Sequence, residues 1–261
     1  MEVVPLEVAS EVALLAADIV EAVVRRSPAA VLGLATGSSP VPAYQEIVRR
    51  HRSGAGPSYA AVRAFTLDEY VGLPAGHPQS YRETIFGELT DALDIARERV
   101  SSPDADPAGL PEAGERYEEA IVGAGGIDLQ VLGIGTDGHL AFNEPGSSLA
   151  SVTRLKTLTE QTRRDNARFF DSPGDVPRHV LTQGLGTILR ARHLLLVATG
   201  EAKAAAVASA LEGALSASCP ASVLQLHPHA TVLLDAAAAS ALERVIHYRE
   251  VHAAKPSWQG Y

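Results

Sequence analysis

The chain has 261 residues, of which 46% are apolar and 20% charged, with a formal net charge of −9 at pH 7. That length accommodates one large α/β domain or two small ones around a substantial core. The acidic balance excludes the clustered Lys and Arg that non-specific nucleic-acid binding requires, so an anionic small molecule would need a local positive site.

In chain order, the N-terminus carries Glu2, Glu7 and Glu11 where a secretory signal would be basic. Val8, Val12, Leu15, Ile19 and Val23 recur at helical spacing and predict a helix that stops at Ser27-Pro28. The apolar run Ala30–Leu34 predicts a buried strand, followed by a helix over Val41–His51 and a second strand over Val62–Leu67. Next come a helix over Tyr81–Leu89, a surface loop rich in Pro, Ala and Asp over Ser101–Pro111, a helix over Gly114–Val122 and a strand over Leu129–Ile134. Asp171–Pro177 reads as another surface loop, then a strand over Leu194–Ala198 and a helix over Ala202–Leu211. Cys219 stands alone, which rules out an intrachain disulfide or thiolate cluster, and reads as a small buried hydrophobe. A strand over Thr231–Leu234 and a helix over Ala237–Tyr248 close the pattern.

Short, continuously apolar strands alternating with helices imply a mostly parallel central sheet covered by helices on both faces, a Rossmann-like three-layer α/β sandwich. No repeat, low-complexity tract or interdomain linker interrupts residues 1–261, so a single domain is expected. No apolar run reaches the length of a bilayer-spanning helix, and the expected location is the cytoplasm, with no membrane partner.

Three strand-to-helix loops are candidates for chemistry. Thr36, Gly37, Ser38 and Ser39 follow the first apolar strand and open a helix, as a phosphate cradle does and as a plain capped turn also does. Lys203, in Thr199-Gly200-Glu201-Ala202-Lys203, supplies either a charge for the same anion or a solvated helical cation. Asp68 and Glu69 end a buried strand, at the sheet edge where ligands bind; a carboxylate there serves as a general base or as a helix cap.

The stretch Gly133 to Pro145 carries the most information. Gly133, Gly135 and Gly138 match a dinucleotide fingerprint, but Asn143-Glu144-Pro145 breaks the helix that the fingerprint should open, and the strand lies midway along the chain. Asp137, His139 and Glu144 lie within eight residues, an arrangement suited to an oriented proton-transferring imidazole or to a metal. No second histidine sits at metal-ligand spacing, so neither a metal nor an organic cofactor is expected.

These segments resemble the glucosamine-6-phosphate deaminases over nearly the whole chain. Phe65–Leu73 with His77–Tyr81, Gly133–Ser151, Asn166–Phe170 and Leu224–Pro228 match in order and spacing. The resemblance implies conversion of glucosamine 6-phosphate and water to fructose 6-phosphate and ammonia. It implies that Asp68 moves a proton between C2 and C1, and that His139, oriented by Asp137 and Glu144, assists ring opening. Thr36, Gly37, Ser38, Ser39, Arg168 and Lys203 would hold the phosphate.

Two other readings share features of the sequence. The 6-phosphogluconolactonases have a similar Asp-Gly-His loop, but Phe142-Asn143-Glu144-Pro145 has the deaminase form and lactone hydrolysis needs no base at C2. A non-catalytic sugar-phosphate sensor would not require both Asp68 and His139. Hexameric deaminases are activated by N-acetylglucosamine 6-phosphate between subunits, and Ser147, Ser148, Arg154 and Lys156 match the positions that bind its phosphate. Regulated members place a C-terminal tyrosine in that site; here alignment puts Arg249 there and Tyr248 one residue away, so weak or altered activation is expected of any homo-oligomer.

Overall fold

The computed structural model describes residues 1–170, 172–256 and 258–261. The first third of the chain forms β1 (Glu2–Pro5), α1 (Ala9–Arg26), β2 (Val31–Leu34), α2 (Val41–Arg52), β3 (Arg63–Thr66), β4 (Asp68–Tyr70) and α3 (Tyr81–Glu88). In α1 the side chain of Glu11 accepts from the Glu7 amide at 3.0 Å, closing the first turn, and Arg25 and Arg26 face the negative end of the helix dipole. Its buried face is Val12, Ala16, Ile19, Val20 and Val23; of the stripe expected from the spacing Val12, Ile19 and Val23 lie on it, whereas Leu15 is half-buried and Val8, which caps the helix, is exposed. The start of α3 is fixed by Ser80, whose hydroxyl accepts from the Glu83 amide at 3.2 Å.

The middle and last thirds supply β5 (Val100–Ser101), α4 (Leu110–Gly123), β6 (Leu129–Leu132), β7 (Arg154–Thr157), α5 (Glu160–Asn166), β8 (His179–Thr182), α6 (Leu185–Ile188), β9 (Leu194–Ala198), α7 (Ala204–Leu211), β10 (Ala230–Leu234) and α8 (Val245–Ala253). Seven strands pair in the order β1-β10-β9-β6-β2-β3-β5, every neighbouring pair parallel. All residues of β2, β6, β9 and β10 are buried, because helices shield both faces, and one continuous core joins sheet and helices. The sheet and its flanking helices are the expected α/β architecture.

A second sheet, β4-β8-β7, is antiparallel. It was not expected, since β7 has an edge-strand pattern: Arg154 and Lys156 are half-buried while Leu155 and Thr157 are exposed. β1 and β5 also lie outside the expected elements; each is a short strand at one margin of the large sheet. The helix expected over Ala237–Tyr248 begins later, at Val245. The Asp235 carboxylate accepts from the Ala238 amide at 2.7 Å and holds the alanine-rich segment in turns, with Ala238, Ala239 and Leu242 buried against the core. Tertiary packing overrides alanine's helix propensity there. The loop expected over Ser101–Pro111 closes early, in a 3₁₀ turn over Pro107–Gly109 that leads into α4. Of the loop Asp171–Pro177, Asp171 lies outside the described residues, and Pro173–Asp175 is a 3₁₀ turn. Among the described residues no helix is long and apolar enough to cross a membrane.

Candidate active site

Because the seven strands are parallel, β2, β3, β6 and β9 all deliver their following loops to one edge of the sheet. The chain passes from β2 to β3 on one side and later returns to β6 on the other, so a topological switch point lies between β2 and β6. Ligand crevices form at such points, outside the carboxyl ends of the strands. The loop Thr36–Ser39 follows β2 and Gly133 follows β6, and the two meet: a Cβ on Gly133 would stand 3.8 Å from that of Ser39. Gly37 takes φ of +96°, a conformation that favours glycine and turns the backbone ahead of α2. The loop is anchored from behind by buried Tyr44, whose hydroxyl donates to the Ala35 carbonyl at 2.9 Å and receives the Ala35 amide at 3.2 Å.

Lys203 follows β9 in a 3₁₀ turn and is half-buried. Burial lowers its pKa; Asp137 acts in the opposite direction and Arg168 in the same one. Lys203, Arg168 and Asp137 therefore share one electrostatic neighbourhood, although they come from three separate loops. Among the described residues Lys203 makes no salt bridge. The turn before it is secured by Asp235, whose carboxylate accepts from the Gly200 amide at 3.0 Å and 3.1 Å.

The two adjacent carboxylates behave differently. Glu69 accepts three backbone amides, from Tyr70 at 2.9 Å, Tyr81 at 2.9 Å and Arg82 at 3.0 Å. Burial pushes its pKa up and these bonds oppose the rise, so Glu69 caps the N-terminus of α3. The Asp68 carboxylate accepts no hydrogen bond among the described residues, yet only 5% of the residue is exposed. Burial, with the neighbouring Glu69 charge adding, holds its pKa well above the ordinary carboxylate value. Around it lies an aromatic wall: Tyr70 stacks on Tyr81 at 4.8 Å, and Phe142 and Phe170 pack on the same cluster. Asn166 donates to the Tyr70 hydroxyl at 2.9 Å, joining this wall to α5.

His139 is paired with Asp137, Nδ1 to carboxylate at 2.6 Å, and the same carboxylate oxygen accepts the His139 amide at 3.2 Å. This arrangement fixes the ring and leaves Nε2 as the nitrogen available to a substrate. The ring lies so close over Gly135 that a Cβ there would come within 2.2 Å of it, so Gly135 makes room for the imidazole. Glu144 does not join the pair. It accepts the Thr162 hydroxyl in a short hydrogen bond and that of Thr159 at 3.2 Å, and so anchors the start of α5 instead of orienting His139. Cys219, expected to be buried, is half-buried and packs against Gly138 of this loop. Among the described residues no group of three or more His, Cys, Asp or Glu side chains is arranged to hold a metal.

Of the four residues matched to an effector site, Ser147 is buried with its hydroxyl unpartnered and Ser148 is exposed. Arg154 and Lys156 lie on one face of β7, and Arg154 shares a cross-strand row with Thr182 and Asp68. Arg154 is half-buried without a carboxylate partner among the described residues, and burial lowers its pKa. Arg249 on α8 pairs with Glu7 at 3.3 Å.

The fold brings the Thr36–Ser39 loop, the buried Asp68 carboxylate, Lys203 and the Asp137–His139 pair to the carboxyl edge of one parallel α/β sheet. The family model for glucosamine-6-phosphate isomerases and 6-phosphogluconolactonase matches residues 5–233. The glucosamine-6-phosphate deaminases of Arthrobacter sp. (strain FB24) and Corynebacterium kroppenstedtii are each 61% identical, over 260 and 261 residues, with 100% of both chains covered. A solved monomeric glucosamine-6-phosphate deaminase superposes with a TM-score of 0.89 at 40% identity, over 92% of this chain and 100% of that one. A 6-phosphogluconolactonase from Trypanosoma cruzi shares the fold, with a TM-score of 0.72 at 21% identity over 93% of this chain and 97% of that one. The chain belongs to the glucosamine-6-phosphate isomerase/6-phosphogluconolactonase family, on its deaminase side.

Proposed function

We propose that the chain converts glucosamine 6-phosphate and water to fructose 6-phosphate and ammonia. The observation that carries this reading is Asp68, a buried carboxylate without a hydrogen-bond partner among the described residues that stands apart from the Asp137–His139 pair. An aldose–ketose shift needs a base for the carbon-bound proton and a separate proton donor for the ring oxygen, whereas lactone hydrolysis leaves the first idle.

In the proposed course, the Thr36–Ser39 loop, Lys203 and Arg168 bind the phosphate and orient the sugar. His139 Nε2 delivers a proton to the ring oxygen while the C1 hydroxyl gives up its own to solvent, opening the pyranose to the C1 aldehyde. Asp68 takes the C2 proton, the bonding pair becomes the C1–C2 double bond and the aldehyde oxygen takes a proton from solvent, giving an enolamine; Asp68 returns its proton at C1, leaving an iminium at C2. Water adds there and ammonia departs. Desolvation strengthens Asp68 as a base, because its charge is poorly stabilised until the proton arrives. The test is a coupled assay that follows ammonia and fructose 6-phosphate from glucosamine 6-phosphate; a chain that hydrolyses 6-phosphogluconolactone and releases no ammonia would overturn the reading.

We read the chain as a single cytoplasmic domain that retains an effector site for N-acetylglucosamine 6-phosphate at Ser147, Ser148, Arg154 and Lys156. The support is an unpartnered buried hydroxyl beside two half-buried cations, on a strand in register with that of Asp68. Activation is expected to be weak, because Arg249 is engaged with Glu7. A hexamer is the assembly in which this site would act, and the solved relative at 40% identity is monomeric. Substrate saturation with and without the effector tests this: a sigmoidal curve made hyperbolic would mean full activation, and a hyperbolic curve with no effector binding would remove the site.

A further inference from the structure

Asn143 sits in the loop that carries His139 and is fully buried. Its amide nitrogen donates twice, to the Leu140 carbonyl at 3.0 Å and to the Gln183 carbonyl at 2.8 Å. The first bond closes the turn that follows His139, in which Ala141 takes φ of +51°, the one non-glycine residue at positive φ among those described. An alanine holds that conformation only where its surroundings enforce it. The second bond crosses to the end of β8. Beside it, the Phe142 amide donates to the Thr182 hydroxyl at 3.2 Å.

The far side of this link is equally rigid. Gln183 is fully buried; its amide donates to the Leu67 carbonyl at 2.8 Å and its side-chain nitrogen to the Thr66 carbonyl at 3.0 Å. Thr182 pairs in register with Asp68. A continuous set of buried hydrogen bonds therefore runs from the loop of His139, through Asn143 and Gln183, to the residues that precede Asp68.

We infer that Asn143 is a positioning residue that sets the place of His139 relative to Asp68, so that one bound sugar meets both acid–base centres. The inference rests on the deaminase reading, in which the two centres act in succession on one substrate. The position calls for side-chain N–H donors, while the Asn143 Oδ1 is buried without a partner among the described residues. An aspartate would face two carbonyl oxygens with a buried negative charge, and an aliphatic side chain would take one donor from each oxygen, leaving the Leu140 carbonyl only the backbone amide of residue 143 and the Gln183 carbonyl only the Thr182 hydroxyl. Asn143 is fully buried and, among the described residues, its side chain bonds only the Leu140 and Gln183 carbonyls and not the Thr36–Ser39 loop, so its effect belongs in turnover and not in affinity.

Asn143→Leu keeps the approximate size of the side chain and removes the donor. Its expected kcat is about 10 to 100 times below normal with KM changed less than about threefold, since small misplacements of a catalytic group cost rate before binding. The deciding measurement is a double-mutant cycle with His139→Gln. In that background Asn143→Leu should lower kcat by less than about threefold further, because there is no imidazole left to misplace. Losses that multiply in the two backgrounds overturn the inference and assign Asn143 a general structural role. If Asn143→Leu does not fold, Asn143→Ser goes through the same cycle under the same criteria. A His139→Gln variant with normal turnover would instead remove the role given to His139, and the inference with it; an impaired His139→Gln whose losses multiply with Asn143→Leu removes only the role of Asn143.

Discussion

At the amino ends of β6, β9 and β10, polar side chains are matched to one another. Asp128 accepts the Val31 amide and the Arg192 guanidinium, each at 2.8 Å; Lys255 bonds both carboxylate oxygens of Glu2 at 2.8 Å; and His193, stacked on His229 at 3.7 Å, shares a 2.9 Å hydrogen bond with Thr231. At the carboxyl ends of the same sheet, Asp68 has no hydrogen-bond partner, Lys203 no carboxylate, and His139 keeps one nitrogen open, among the described residues. One edge pairs most of these groups within the fold, the buried Nδ1 of His193 excepted. The other leaves them without partners among the described residues, at a cost in stability that, in the proposed function, substrate binding recovers.

The sharpest way to break this comparison is Asp68→Asn, which keeps the shape and removes the base. Turnover should fall by about two to four powers of ten with KM largely kept. Near-normal turnover would misassign the base. The acid limb of kcat/KM against pH should lie above the ordinary carboxylate range, because the folded pKa of Asp68 is raised and the ionised form is the active one. The stability effect has the opposite sign. A carboxyl group with a raised folded pKa costs the folded state stability above that pKa, so Asp68→Asn should melt at a higher temperature at pH 7, and the gain should vanish as pH falls through the folded pKa. Unchanged or lower melting would show that Asp68 is not strained by burial.

Lys203→Ala should act next most strongly. It should reduce kcat/KM for glucosamine 6-phosphate by about 10 to 100 times, the worth of a charge-assisted hydrogen bond, and leave the unphosphorylated sugar much less affected. Equal losses on both sugars would separate Lys203 from the phosphate.

The smallest effect on catalysis belongs to the opposite edge. Burial, with the nearby charges of His229, His227, Arg26 and Lys255, pushes the pKa of His193 down to about 3. The unfolded chain binds this proton first, so stability is full above about pH 6.5 and is lost as pH falls towards 3, at up to about 1.4 kcal/mol per pH unit. His193→Gln should flatten that loss in urea midpoints between pH 7 and pH 5, with kcat at pH 7 unchanged. A change in kcat would mean that the two edges are coupled.

Much of the carboxyl edge is legible in the sequence, because strand-to-helix loops with Gly, Ser and Thr announce themselves. The five expected apolar strands are legible because parallel strands buried on both faces read as unbroken runs. What is not legible depends on contacts across the chain. Nothing local distinguishes Asp68 from Glu69; the cap formed with Tyr81 and Arg82 does. Glu144 lies five residues from His139, yet the folded chain gives it to Thr159 and Thr162. Tyr44 and Asp235 carry no motif and are defined by the backbone groups they hold. β7 is hidden because Arg154 and Lys156 turn inwards and Leu155 outwards, the reverse of the usual pattern.

The placement of the site between β2 and β6 also bears on how activity is acquired during folding. Val31 and Asp128, joined by a hydrogen bond at the foot of these two strands, are 97 positions apart in the chain. Helix pairs such as α1 and α2 form from neighbouring segments, but bringing β6 beside β2 closes a long loop, and such contacts are slow to form. The cradle after β2 and the imidazole loop after β6 face each other only when that closure is complete. Catalysis should therefore return with the slowest refolding phase, after helical circular dichroism has recovered, and amides of β2 and β6 should become protected from hydrogen exchange in the same phase as the enzyme becomes active.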